Sequence, residues 1–153
     1  MIKTIAIIGA GNGGKASAAD LALQGKKVRL FDFHEYRRGI EELMKSRRLK
    51  ATGAVAGEAA LELVTCDLPE ALEGADTVMV CTQALAHERV ARELAPLVRP
   101  KQLVILNPGS TGGALLFAHV FRQAGMKKMP ALVETSTLTY GCRAKGDTVD
   151  IKL

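Results

Sequence analysis

Three glycines and one aspartate give the first chemical signal in the chain. Gly9, Gly11 and Gly14 stand in GAGNGG, a GxGxxG spacing, and Asp32 follows 18 residues after the last of them. Gly9 permits a tight turn, Gly11 leaves a phosphate room to approach the main chain, and Gly14 lets a helix pack close to a strand. The start of that helix presents free N–H groups and a partial positive charge to an anion. A carboxylate at Asp32 would accept hydrogen bonds from ribose hydroxyls. Such a pattern has weight only where strand, turn, helix, second strand and acid follow one another.

That context is present. Ile5 to Ile8 is a short apolar run rich in β-branched residues, which reads as a buried strand. A small-residue helix runs from about Asn12 to Gln24 and stops at Gly25, and Val28 to Phe31 forms a second strand that Asp32 closes. The stretch is expected to hold a dinucleotide through Gly9, Gly11, Asn12, Gly13, Gly14 and Asp32. An acid at the ribose favours the free 2′-hydroxyl of NAD and repels a 2′-phosphate. Arg37 and Arg38 either soften that preference or form a solvated helix face, so NADP stays open.

The elements that must position these residues alternate. His34 to Arg48 reads as a helix with Tyr36, Ile40, Leu43 and Met44 on its apolar stripe. Leu49 to Ala60 is glycine-punctuated, a short strand and then a turn, and Leu61 to Thr65 is an edge strand. Asp67 to Gly74 is a short helix with Pro69 in its first turn. Thr77 to Cys81 is a buried strand, and Ala84 to Val98 a helix with Val90, Leu94 and Leu97 on one face. Leu103 to Leu106 is a strand, followed by a helix to about Gln123, and Ala131 to Val133 is a further strand. Tyr140 to Lys145 and Thr148 to Leu153 pair as a hairpin around Gly146-Asp147. Right-handed crossovers turn this order into an α/β, doubly wound, mostly parallel sheet, a Rossmann fold with a C-terminal β-hairpin.

In such sheets ligands bind beyond the carboxyl ends of the strands. Besides the glycine loop, three loops there are polar: Thr82-Gln83, Asn107 to Gly113, and Glu134 to Thr137. Thr82, Asn107, Pro108 and Gly109 are candidate cofactor contacts, with a plain strand-to-helix turn as the competing reading of the Asn107 loop. The 134–137 segment fits helix capping and substrate contact equally. His34, His87 and His119 fall on helices, outside any triad pattern, and no residue is assigned a catalytic role. There is no HExxH spacing, and no metal is expected.

Composition limits the alternatives. A chain of 153 residues is the length of about one domain, with 48% hydrophobic and 24% charged residues. Tryptophan is absent and aromatics reach 4%, so the core is built from Ala, Val, Leu and Ile. The +5 charge is scattered without interleaved aromatics, which argues against a nucleic-acid platform. Cys66, Cys81 and Cys142 form no CxxC pair and suit free thiols in a reducing compartment. The first apolar run ends at the glycine loop, so it is no signal peptide. Leu103 to Phe121 is interrupted by Asn107, Pro108 and glycines, so it is no membrane span. A cytoplasmic protein is expected.

Three stretches, IAIIGAGNGGKASAADLALQGKKVRLFD, LAPLVRPKQLVILNPGSTGGALLF and ETSTLTYGCRAKGDTVDI, make the chain resemble the NAD/NADP octopine/nopaline (opine) dehydrogenases. It departs from them at Gln83, where members often carry proline. The resemblance implies reductive condensation of an amino acid with a 2-oxo acid, with hydride from NAD(P)H. It implies that Asn107, Pro108 and Gly109 line the nicotinamide half. It also implies a separate helical domain that carries the catalytic pair and most of the substrate pocket. Residues 1–153 are then a single NAD(P)-binding domain, inactive alone, with apolar surface near the hairpin through which it pairs with that domain or with a second copy. The alternatives are a stand-alone nucleotide-sensing module and a ketopantoate-reductase-like dehydrogenase fragment.

Overall fold

In the computed structural model, which describes residues 2–152, β1 (Thr4–Ile8) and β2 (Lys27–Phe31) flank the helix α1 (Asn12–Leu23). β1 pairs in parallel with β2 on one side and with β6 (Thr77–Val80) on the other. β5 (Leu63–Thr65) continues the sheet beyond β2, and β7 (Leu103–Leu106) and β8 (Ala131–Glu134) continue it beyond β6. The spatial order is β5-β2-β1-β6-β7-β8, all parallel. Taking its six strands in chain order, this is the 3-2-1-4-5-6 arrangement of a doubly wound Rossmann sheet.

Both faces of this sheet are covered, which is why its strands read as continuous apolar runs. Alternate residues of β1 face opposite cores. Ala6 and Ile8 join Phe31, Val80, Leu106, Phe117 and Phe121 beneath α3 (Leu68–Leu72), α4 (His87–Leu94) and α5 (Gly113–Gln123). Ile5 and Ile7 join Val28, Leu30 and the alanines of α1 on the other side.

That second core contains a layer the sequence only half discloses. β3 (Arg48–Gly53) and β4 (Gly57–Ala60) form an antiparallel pair where a strand and a turn were expected. The C-terminal hairpin, β9 (Cys142–Lys145) and β10 (Thr148–Ile151), forms as expected, with Gly146 at φ +57° in its turn. The end of the expected strand, Leu153, lies outside the described residues. β10 then pairs in parallel with β3, giving a four-stranded sheet ordered β4-β3-β10-β9. α1 is sandwiched between the two sheets, and Gly13 through Ala19 are buried without a break. A helix buried all round needs no amphipathic stripe.

Other expectations are corrected. His34–Gly39 is a 3-10 segment, and the following helix, α2, spans Glu41–Ser46. Ile40 separates the two, and Arg47 ends α2 in the left-handed region at φ +53°. Tyr36 is therefore 59% exposed and not on a core stripe. Ala84–Ala86 is also 3-10, and α4 closes at Leu94. Among the described residues, the expected apolar surface at the hairpin is not seen: Val149 and Ile151 are fully buried. The most exposed large apolar side chains are instead Leu85, at 96%, and Leu115, at 77%. No helix among the described residues is long and apolar enough to cross a membrane.

The position that fixes α1 is Gly14, where a Cβ would lie 1.7 Å from the Gly9 carbonyl oxygen. Gly14→Ala is expected to cost more than about 2 kcal/mol, because main chain cannot yield as a flexible side chain can. Thermal denaturation measures this, and a variant melting with the wild type would contradict the contact.

Candidate functional site

β1 delivers its carboxyl end into a turn at Gly9, φ +101°, whose N–H donates to Phe31 O at 2.8 Å. The turn and α1 lie beside the end of β2, so Asp32 sits against the glycine loop. Its Oδ2 accepts from Ala10 N at 3.0 Å and its Oδ1 from Phe33 N at 2.9 Å. Burial pushes the Asp32 carboxyl upward from its usual range. The two main-chain donors and the charge of Lys15 hold it down, and Glu35 pushes it up.

A cleft of about 330 Å³ opens here, with Gly9, Gly11, Asp32 and Thr82 in its walls. Gly11 faces open space, with nothing within 4 Å of where a Cβ would stand. Thr82 Oγ1 is buried and has no hydrogen-bond partner among the described residues. Cys81 also lines the cleft, and burial raises its thiol to about 12, which leaves it a proton-bearing wall group.

The helix starts differ in what occupies them. Asp67 caps α3 by accepting from Glu70 N, α2 carries Glu41 and Glu42 in its first turn, and α4 carries Glu88. At α5, Glu134 from β8 accepts from Gly112 N at 3.0 Å and Ala114 N at 2.7 Å. These bonds hold the Glu134 carboxyl below its usual range and resolve its ambiguity in favour of capping. α1 has neither a side-chain cap nor an acid in its first turn. Its positive end is left to whatever enters the cleft.

The remaining sequence candidates have other partners. Asn12 Oδ1 accepts from Ala144 N at 2.8 Å, joining α1 to β9. A Cβ at Gly13 would stand 2.5 Å from Leu138 Cδ1, so the 135–139 segment covers that part of the helix start. Asn107 is 2% exposed, and its Oδ1 takes Thr139 Oγ1 at 3.0 Å, Thr139 N at 3.2 Å and Thr135 Oγ1 at 3.2 Å. Gly109 packs against Glu134, where a Cβ would meet that side chain at 2.4 Å. Pro108, half-buried, follows Asn107 through a cis peptide. The structure thus brings Gly9, Gly11, Asp32 and Thr82 into one cleft and groups Asn107 and Gly109 with the 134–139 segment.

Gln83, named from sequence in the loop with Thr82, also lines the cleft, as do Phe33, Tyr36, Ala86 and Arg89, which were not singled out as ligand contacts. The Arg89 guanidinium carbon lies 3.9 Å from the centre of the Phe33 ring. It is paired with Glu35 and, at 3.0 Å, with Glu93. His87, read from sequence as a surface or core histidine without a triad, is a core one. It is 1% exposed, stacks edge-on with Phe117 at 5.9 Å, and its Nε2 has no partner among the described residues. Burial lowers its pKa, against the opposing influence of the Thr82 main chain and Glu134.

Comparison with known proteins follows this geometry. A family model described as ketopantoate reductase PanE/ApbA matches residues 5–128. The chain is 38% identical over 144 residues to an opine dehydrogenase of Arthrobacter sp. (strain 1C), covering 94% of this chain and 39% of that protein. It superposes on octopine dehydrogenase bound to NADH and L-arginine with a TM-score of 0.82 at 24% identity, covering 99% of this chain and 39% of that one. For NADP+-bound yersinopine dehydrogenase the TM-score is 0.77 at 18% identity, covering 99% and 39%. These superpositions show the fold, and the chain spans about two fifths of the length of these relatives.

Two measurements follow from the site. Asn107→Leu leaves the Thr139 N–H and hydroxyl without their acceptor, while the Thr135 hydroxyl keeps the Thr137 carbonyl, so a loss of about 2–3 kcal/mol is expected by denaturant unfolding. For His87, the folded chain binds a proton less readily than the unfolded chain. Stability should therefore fall as pH drops below the unfolded value of about 6.5, by up to about 1.4 kcal/mol per pH unit until His87 itself protonates. Unfolding of His87→Phe should lack that slope.

Proposed function

Because the chain belongs to the ketopantoate reductase PanE/ApbA family, matched over residues 5–128, we propose that residues 1–153 are the dinucleotide-binding domain of an opine-dehydrogenase-like oxidoreductase. The observation that carries this reading is the uncapped start of α1, open at Gly11, with the Asp32 carboxylate and the unpartnered Thr82 hydroxyl in the same cleft. A diphosphate satisfies the free N–H groups of Gly11, Asn12 and Gly13 and the positive helix end. Asp32, bonded to main chain through both oxygens, keeps lone pairs for the adenosine ribose hydroxyls. Thr82 supplies a hydroxyl partner beside the diphosphate. Tyr36, Ala86 and Arg89, which line the same cleft, suit an adenine ring.

A bound reduced nicotinamide supplies the hydride, and this chain's residues bind and orient it. Asn107 works one step back from that half, bracing the 135–139 segment over α1, with Pro108 and Gly109 in the loop beneath. The titratable groups at this end are engaged elsewhere: Asp32 at the ribose, Glu134 on α5, His87 in the core. Among the described residues no acid–base pair is left for protonating an imine, so on this reading a further domain supplies it, in keeping with the two-fifths coverage of the relatives. An amino acid and a 2-oxo acid are the proposed substrate classes, from the 38% identity to an opine dehydrogenase. The family match keeps direct reduction of a 2-oxo acid as the second reading. NAD is the proposed cofactor because Asp32 stands at the ribose, with NADP as the alternative.

Fluorescence titration with NADH and NADPH tests the site. Asp32→Asn, losing hydrogen bonds to a charged acceptor, should weaken NADH binding about 10- to 100-fold and narrow the preference over NADPH. Gly11→Ala, at φ −73° and in open space, should leave the melting temperature unchanged while weakening both cofactors. Full-strength NADH binding by both variants would overturn the assignment. The isolated chain, given an amino acid, pyruvate and NADH, is expected not to turn over.

A further inference from the structure

Among the described residues that line the cleft, Arg89 is the one cation. It reaches the cleft from α4, and the 3-10 segment after β2 meets it there. Glu35 accepts from Arg89 Nη1 and, at 3.2 Å, from Nη2, while Glu93 accepts from Nε at 3.0 Å. One face of the guanidinium lies over the Phe33 ring at 3.9 Å. Phe33 follows Asp32 directly, and its N–H donates to Asp32 Oδ1. Arg89 therefore stands beside the acid assigned to the ribose, with its planar fork already closed on a carboxylate. Arg89 and Phe33 also border a neighbouring hollow of about 350 Å³ that has His34 and Glu35 in its walls. Arg37 and Arg38, weighed from sequence as modifiers of cofactor choice, are not among the residues that line the cleft. The Lys15 ammonium is turned to Gly146 O, at 2.6 Å.

On the dinucleotide reading above, we propose that Glu35 and Arg89 set the choice between NAD and NADP as a pair: Glu35 holds the fork that a 2′-phosphate needs, and NADPH binds as Arg89 is drawn from Glu35 to the phosphate. A phosphate and a carboxylate ask for the same two parallel N–H groups. Arg89 has five N–H donors, and three of them are engaged by Glu35 and Glu93. While they are, its positive charge is offset by two carboxylates, and a 2′-phosphate beside Asp32 meets no uncommitted cation in the described cleft lining. The bridge is nonetheless easily opened. Its two side chains are 49% and 47% exposed, and ion pairs in that setting contribute little to stability. An NADH ribose, with a hydroxyl in place of the phosphate, leaves the bridge shut. Discrimination is thus shared by two acids that act differently. Asp32 repels the phosphate directly, and Glu35 withholds its partner.

The test titrates the full chain with NADH and NADPH by fluorescence at about pH 8, where a 2′-phosphate carries close to two charges. Wild type is compared with Glu35→Gln, Arg89→Gln and the double variant. Glu35→Gln frees the fork and should raise affinity for NADPH relative to NADH about tenfold. Arg89→Gln should lower that ratio. In the Arg89→Gln background, Glu35→Gln should raise the ratio less than about threefold, since only a like charge is then removed. A side chain that merely props the cleft wall would change both cofactors by one factor and leave the ratio where it was. The same rise with and without Arg89 would overturn the proposal, because Glu35 would then act by its own charge alone. NADH binding with an unmoved ratio in Glu35→Gln would overturn the proposal and leave the site reading standing. A wild type that binds neither dinucleotide would overturn the site reading, and the proposal with it.

Discussion

With a Cβ at position 14 excluded by the Gly9 carbonyl, α1 and the turn after β1 touch main chain to main chain. The contact sets where the helix begins, and its start is the feature on which the cleft depends. It also dictates what the helix is made of. Gly13 through Ala19 pass between two sheets, and larger side chains there would push one sheet away. The small-residue composition that leaves α1 without an amphipathic face is the result of covering it on both sides.

The charges at the carboxyl end of the sheet are divided between structure and recognition. Glu134 and Asp67 are spent on the starts of α5 and α3. Asp32 takes two main-chain bonds and still borders open space, and α1 keeps its N–H groups free. An anion entering this end of the molecule therefore meets one unneutralised helix start, beside one acceptor. The arrangement suits the diphosphate and ribose of the proposed dinucleotide.

Much of this was legible in the chain because it is local. GAGNGG, the strands on either side of α1, Asp32 and the glycine-first hairpin turn each depend on neighbours in sequence, and each forms as read. The helix expected over 34–48 is divided at Ile40, which leaves helical geometry after Gly39, and it ends where Arg47 turns left-handed. That released Tyr36 from the core to the cleft wall. The parallel pairing of β3 with β10 joins residues about a hundred positions apart, and no local period announces it. The same distance hid the work of Lys15, whose partner Gly146 is 131 residues away, and of Asn107, whose partners lie 28 and 32 residues on. An amide after a strand suits ligand contact and loop bracing equally well, and the bracing by Asn107 shows only once Thr135 and Thr139 have folded back onto it.

The closing strand also has a consequence for the order of assembly. All six strands of the main sheet have been made by Glu134, yet the outer side of α1 is still bare, since β10 must fill the place beside β3. While the chain emerges from the ribosome, Ala16, Ala19, Leu49 and Ala51 await Val149 and Ile151. The nucleotide cradle is thus encoded near the beginning of the message and completed near residue 151, and nascent chains halted between those points present an apolar groove that a chaperone would recognise.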